Sequence, residues 1–240
     1  MSPVSVSAFH ALETACAAGD LRAAQTALQA LPEQDRGAGA ALALHLGCPA
    51  LAARWSPDPL IQAAAWLRLG DPAQAQAMLA PALPSARTAV LGARAVWQQG
   101  APAALTLGEE ARRLARLEGD AGALVAAVTL LGEQHLEQPF MALRTLAEGL
   151  KVAELTAQPA DAHLLAVLAH AQVRLGGNKG RHTAEKALDR AAPGSPAQVL
   201  ALLALDRRPE ALAQAARGHL APLWWAPFSP AKAPTLPNNS

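Results

Sequence analysis

Tyrosine is absent from this chain, and only three Phe and five Trp are spread over its 240 residues. Aromatic side chains make up 3% of the sequence, so a core built around a few bulky rings is excluded. Two cysteines, Cys16 and Cys48, are too few for a disulfide scaffold or a cysteine-rich metal knuckle. Long apolar runs are missing as well. The longest uncharged stretch near the middle, residues 37–53, is rich in Ala and Gly and contains Pro49, which is too short and too weakly apolar for a bilayer span. The first residues lack the basic start and apolar run of a secretion signal. Both thiols then read as buried and reduced, and the expectation is a soluble, cytoplasmic protein with no membrane contact.

An excess of charge of one sign is also lacking, since the formal net charge is +1. The distribution is less even than the total. Residues 174–240 carry nine Lys or Arg against four Asp or Glu, and residues 1–173 carry eleven against fifteen. The basic C-terminal third is a candidate interaction surface.

What the chain does have is alanine. It dominates a hydrophobic fraction of 52%, and with β-branched residues scarce this favours helix over strand. Turn signals punctuate the sequence at Gly19-Asp20, Gly47-Cys48-Pro49, Gly70-Asp71-Pro72, Gly100-Ala101-Pro102, Gly119-Asp120, Gly176-Gly177-Asn178 and across residues 206–209. Gly tolerates the left-handed backbone that ends a helix, and Pro opens the next because its missing N–H has no partner there anyway. Asp71-Pro72-Ala73-Gln74 and Ser195-Pro196-Ala197-Gln198 add capping patterns. Between the turns Leu143, Leu146, Leu150 and Ala153 share one helical face, as do Leu164, Leu168, Ala171 and Leu175. The spacing predicts about twelve helices in six antiparallel pairs, drawn from 4–31, 33–56, 59–83, 85–118, 120–157, 159–192 and a terminal 195–223, or seven pairs if the short second one is counted.

The turns also align with one another. Five residues after Gly19, Gly47, Gly70 and Asp206 stand Ala24, Ala52, Ala75 and Ala211. A small residue belongs there because the second helix crosses the first close to the turn. With "LRLGDPAQAQAMLAPAL", carrying Leu69, Gly70, Ala75, Ala82 and Leu83, and "VRLGGNKGRHTAEKALDRAAP", carrying Leu175, Gly176, Ala187, Leu188 and Pro193, the chain resembles the tetratricopeptide-repeat (TPR) family. It departs from that family in its missing large aromatics and in turn spacings of 28, 23 and 30 residues from Gly19 through Gly47 and Gly70 to Gly100. The resemblance implies an all-α, right-handed α-solenoid of stacked antiparallel hairpins over residues 1–223. A Trp/Pro-rich cap and flexible tail at 224–240 would complete the chain. It is also similar to helical-repeat segments of bacterial transcription regulators, without the domains those carry.

In such a stack the first helix of each hairpin lines a concave groove. Counting back from the turns places Arg68, Arg87, Arg94, Gln98, His163, His170 and Arg174 on it. The resulting surface is basic and suits a protein or acidic peptide segment, although Glu133 and Glu137 break the pattern in the fifth hairpin. A second patch gathers Lys179, Arg181, His182, Lys186 and Arg190. Nucleic-acid contact through this patch (residues 174–217) is the alternative reading, disfavoured by the lack of stacking aromatics within it. The histidines lack metal-ligand spacing and no nucleophile motif is present, so neither cofactor nor catalysis is expected. The C-terminal run "LAPLWWAPFSPAKAPTLPNNS" holds Trp224, Trp225 and Phe228. These rings either cap the last hairpin or anchor a partner or a second copy. The expected function is a non-catalytic protein–protein interaction scaffold.

Overall fold

The computed structural model describes residues 3–176 and 178–228, the side chains of residues 3 and 4 excepted. The expected flexible tail, residues 229–240, lies outside the described residues. Among those described there are fourteen α-helices and no strand. They fall into seven consecutive pairs. These are α1 (Pro3–Ala18) with α2 (Leu21–Ala30), α3 (Glu33–His45) with α4 (Pro49–Trp55), and α5 (Pro59–Leu69) with α6 (Pro72–Leu79). Next come α7 (Ala86–Gln98) with α8 (Ala104–Glu118) and α9 (Ala121–Gln134) with α10 (Pro139–Leu155). The last are α11 (Ala162–Arg174) with α12 (Lys179–Arg190) and α13 (Pro196–Ala204) with α14 (Arg208–Arg217). None is long and apolar enough to cross a membrane.

The helix ends follow from local chemistry. Asp20, Asp71 and Asp120 each accept a hydrogen bond from the backbone N–H three residues on, and Ser85 and Ser195 do the same. Each cap satisfies one of the donors that a helix start leaves unpaired, worth about 1 kcal/mol. The four alanines after the turns, Ala24, Ala52, Ala75 and Ala211, are completely buried. Close helix crossings at those points are thus built on the smallest side chain that still favours helix. Leu supplies most of the remaining bulk, as in Leu12, Leu28, Leu67, Leu131, Leu146 and Leu164.

Each helix packs on the next in sequence. In addition, the first helices of successive pairs touch one another in order, from α1 through α3, α5, α7, α9 and α11 to α13. This second set of contacts makes the first helices one continuous wall.

The array also returns on itself. The Arg217 guanidinium, at the end of α14, donates to the carbonyl of Ala17 at 2.7 Å. Gly47, at the turn of the second pair, lies against the backbone of Pro193 and Gly218. Gly194 and Gly218 meet so closely that a Cβ on Gly218 would fall 1.9 Å from the Gly194 carbonyl oxygen. Only glycine at position 218 allows two backbones to approach in this way. Beyond α14, residues 220–228 run as two short 3₁₀ turns back toward α5 and α11.

Candidate functional site: the central cavity and the segment beside it

A cavity of about 560 Å³ occupies the middle of the molecule. First helices supply most of its wall: Leu44 and His45 from α3, Leu67 and Arg68 from α5, Leu91 and Arg94 from α7, Val125 and Thr129 from α9 and His163 from α11. Pro196 at the start of α13 and Trp224 from the C-terminal segment complete it. A smaller cavity of about 300 Å³, near Trp97, Gln98 and Gln134, borders the same segment at Leu223, Ala226 and Pro227.

The C-terminal segment is tied down by the end of α5. The last carbonyls of a helix lack intrahelical partners. The Arg68 carbonyl accepts the N–H of Ala221 at 2.8 Å, and the Leu67 carbonyl accepts Trp224 Nε1–H at 2.7 Å. Trp224 and Phe228 are buried, whereas Trp225 is half-buried and its indole N–H has no partner among the described residues.

Charged groups gather around Trp224. The Arg94 guanidinium lies over its ring at 4.6 Å from the centroid and over Trp97 at 5.0 Å. The same guanidinium makes two hydrogen bonds to Glu133, at 2.5 and 2.7 Å. His163 Nε2 sits 3.0 Å from Glu133 Oε1, and its ring is 6.0 Å from that of Trp224. The Glu133 side chain is wholly buried. Burial pushes its carboxyl up, but Arg94 and then His163 outweigh that and hold it at about 2. A planar guanidinium suits this position because it pairs bidentately at its edge and stacks with its face.

The remaining groove candidates extend the line. His170 Nε2 is 2.8 Å from the carbonyl of Leu200, and its ring meets Phe228 edge-on at 4.8 Å. Burial pushes His170 down to about 4, so the ring is neutral. Arg174 pairs with Glu137 at 2.6 Å and donates to the Pro227 carbonyl at 3.3 Å. Gln98 keeps both amide atoms buried without a hydrogen-bond partner among the described residues. Arg87 lies elsewhere, exposed and paired with Asp120 at 2.6 Å. Arg68 projects to the cavity wall and donates to the Leu44 carbonyl. Burial lowers its pKa to about 10.

Arg94, His163, His170 and Arg174 are therefore set along one segment of the chain itself. Sequence reasoning did not assign a role to Glu133 and Glu137, which supply the carboxylates that this basic line meets. The available signal was their position: they interrupt a basic pattern four residues apart in sequence, at the end of α9 and in the turn after it.

The other candidates are more dispersed. Lys179, Arg181, His182 and Lys186 are exposed on α12, with Arg181 3.6 Å and His182 3.8 Å from Glu185. Arg190 donates to the Ala160 carbonyl at 3.0 Å, beside the central cavity. Cys16 and Cys48 are buried neighbours in the core of the first two pairs. Their mutual hydrogen bond, followed by burial, pushes the Cys16 thiol up and keeps it protonated.

Compared with known protein families, characterised proteins and solved structures, the chain matches none.

Proposed function

We propose that this chain is a TPR-like, right-handed solenoid of helical hairpins that works in the cytoplasm as a non-catalytic interaction scaffold, with a partner segment held on its concave face. One observation carries the reading. The wall of first helices already holds a peptide segment, residues 220–228, through the helix-end carbonyls of α5, an Arg94 face and buried aromatic rings. Those are the devices by which a groove takes an aromatic-anchored chain from outside, where one or two buried rings supply most of the binding energy. Acidic residues on the partner would suit Arg174, which meets Glu137 and Pro227 at the edge of the same segment.

A photoactivatable cross-linker tests this in cells. One is placed at Ala126, exposed on the cavity wall, and one at Leu117, exposed on α8. The expected outcome is protein adducts from position 126 that survive nuclease treatment and are missing from position 117. Adducts on a second copy of the chain would identify self-association as the interaction. Identical adducts from both positions, or adducts that vanish with nuclease, would overturn the reading.

A further inference from the structure

The cations around the central cavity are not equally neutralised. Arg94 is matched by Glu133. Arg68, on the same wall, has no carboxylate partner among the described residues, and its guanidinium makes a single hydrogen bond, to the Leu44 carbonyl. A guanidinium carries five N–H donors in a rigid fork, so most of its donor capacity is unspent. The acidic groups nearby are committed elsewhere. Asp161 caps α11, accepting from the N–H groups of His163 and Leu164, both at 2.9 Å. Glu133 is shared between Arg94 and His163. Arg190, also on the wall, adds a second cation, and it donates to the carbonyl of Ala160.

Withdrawing a cation from water without a counter-charge is costly, and Arg68 is half-buried, which already presses its guanidinium toward the neutral form. A bound anion removes that cost. The rest of the wall says what kind of anion. Leu44, Leu67, Val90, Leu91 and Trp224 are apolar, and the volume of about 560 Å³ falls in the usual range for small-molecule sites. An inorganic ion would leave those surfaces uncovered.

We infer that the central cavity binds a small amphipathic organic anion. Its carboxylate, sulfonate or phosphate meets Arg68, and its apolar body lies against α5, α7 and Trp224. The ligand occupies the cavity while residues 220–228 stay in place, so the inference goes beyond the scaffold reading and does not depend on it.

The test uses the full chain and two fluorescent probes with one ring system. 8-Anilinonaphthalene-1-sulfonate carries the anionic group, and N-phenyl-1-naphthylamine lacks it. The expected result is one sulfonate probe per chain, excited by energy transfer from tryptophan. The uncharged probe should bind about tenfold more weakly, one lost charge-assisted interaction being worth about that factor. Arg68→Gln should erase the difference and leave binding of the uncharged probe unchanged. If that variant does not fold, Arg68→Lys serves instead, because it keeps a point charge and loses the fork. Weakened sulfonate binding with the uncharged probe unaffected then supports the site. Equal binding of both probes by the native chain, or sulfonate binding unchanged in the folded Arg68 variant, overturns it. Neither result alters the cross-linking outcome that tests the scaffold.

Discussion

Two ion pairs of the same chemistry sit in opposite surroundings, one in solvent and one buried. On α8, Arg113 and Glu110 meet at 2.5 Å with more than half of each side chain in solvent. In the interior, Arg94 and Glu133 meet at the same distance with 7% and 0% of their side chains exposed. The distance is equal and the consequence is not. Water and ions screen the outer pair, and each partner is well solvated without the other. The inner pair has no such refuge. Either partner left alone would be a charge in a low-dielectric site, and Trp224 is stacked on that same guanidinium.

The largest effect is therefore expected at Glu133. Glu133→Ala should cost about 3–5 kcal/mol of unfolding free energy, measured by chemical denaturation, because it strands Arg94. Glu133→Gln, which keeps the shape and some hydrogen bonding, should cost less. An unaltered denaturation midpoint in the alanine variant would remove the distinction between the two pairs.

Acid should expose the same contrast. His170 is depressed from 6.5 to about 4, and Glu133 from 4.5 to about 2. In both cases the unfolded chain binds protons more readily than the folded one. The stabilisation is fully present above the unfolded values and is lost as pH falls, from 6.5 toward 4 for His170 and from 4.5 toward 2 for Glu133. For His170 the loss amounts to roughly 3 kcal/mol at ~1.4 kcal/mol per pH unit. A stability profile flat between pH 7 and 4 would contradict this, whereas His170→Gln should flatten that stretch.

A smaller loss is expected where the last pair meets the second. Gly218→Ala puts a methyl group onto the Gly194 carbonyl, so the backbones must separate. Overpacking of this kind costs about 1–3 kcal/mol. Faster hydrogen exchange at the turns near residues 47 and 218, with the middle pairs unaffected, would locate the damage. Least of all is expected from Arg113→Ala, which should leave the thermal midpoint within repeat error. A clear drop there would show that the outer face carries more than solvated decoration.

Much of the fold was written in local signals. Asp71 and Ser195 cap the helices that their four-residue patterns foretold. Gly70 and Gly119 end α5 and α8 with left-handed backbone, and Ala24, Ala52, Ala75 and Ala211 are buried at the crossings. Such features depend on neighbours a few residues away, and one chain can display them. The site was legible only in part. Counting along each helix put Arg94, His163, His170 and Arg174 on a common face, and all four line the C-terminal segment. The same count included Arg87, which pairs outside with Asp120. What the pattern could not convey is the return of the chain. The contact of Trp224 with Leu67 spans 157 positions, and that of Arg217 with Ala17 spans 200. Both depend on how successive pairs pack, over five pairs for the first and seven for the second, and no single pair carries a mark of it.

That return has a bearing on how the chain can change. An open stack of repeats behaves almost as a one-dimensional lattice, fraying from its ends and accepting an added or deleted unit at modest cost. Here Gly47 rests on Gly218, and Leu67 holds Trp224. Duplicating a hairpin that lies between α5 and α14 would carry those partners apart, and deleting one would drive them into collision. The contacts thus tie the number of pairs between α5 and α14 to the geometry of the return, and loosening of the last pair is expected to be felt at the second and third.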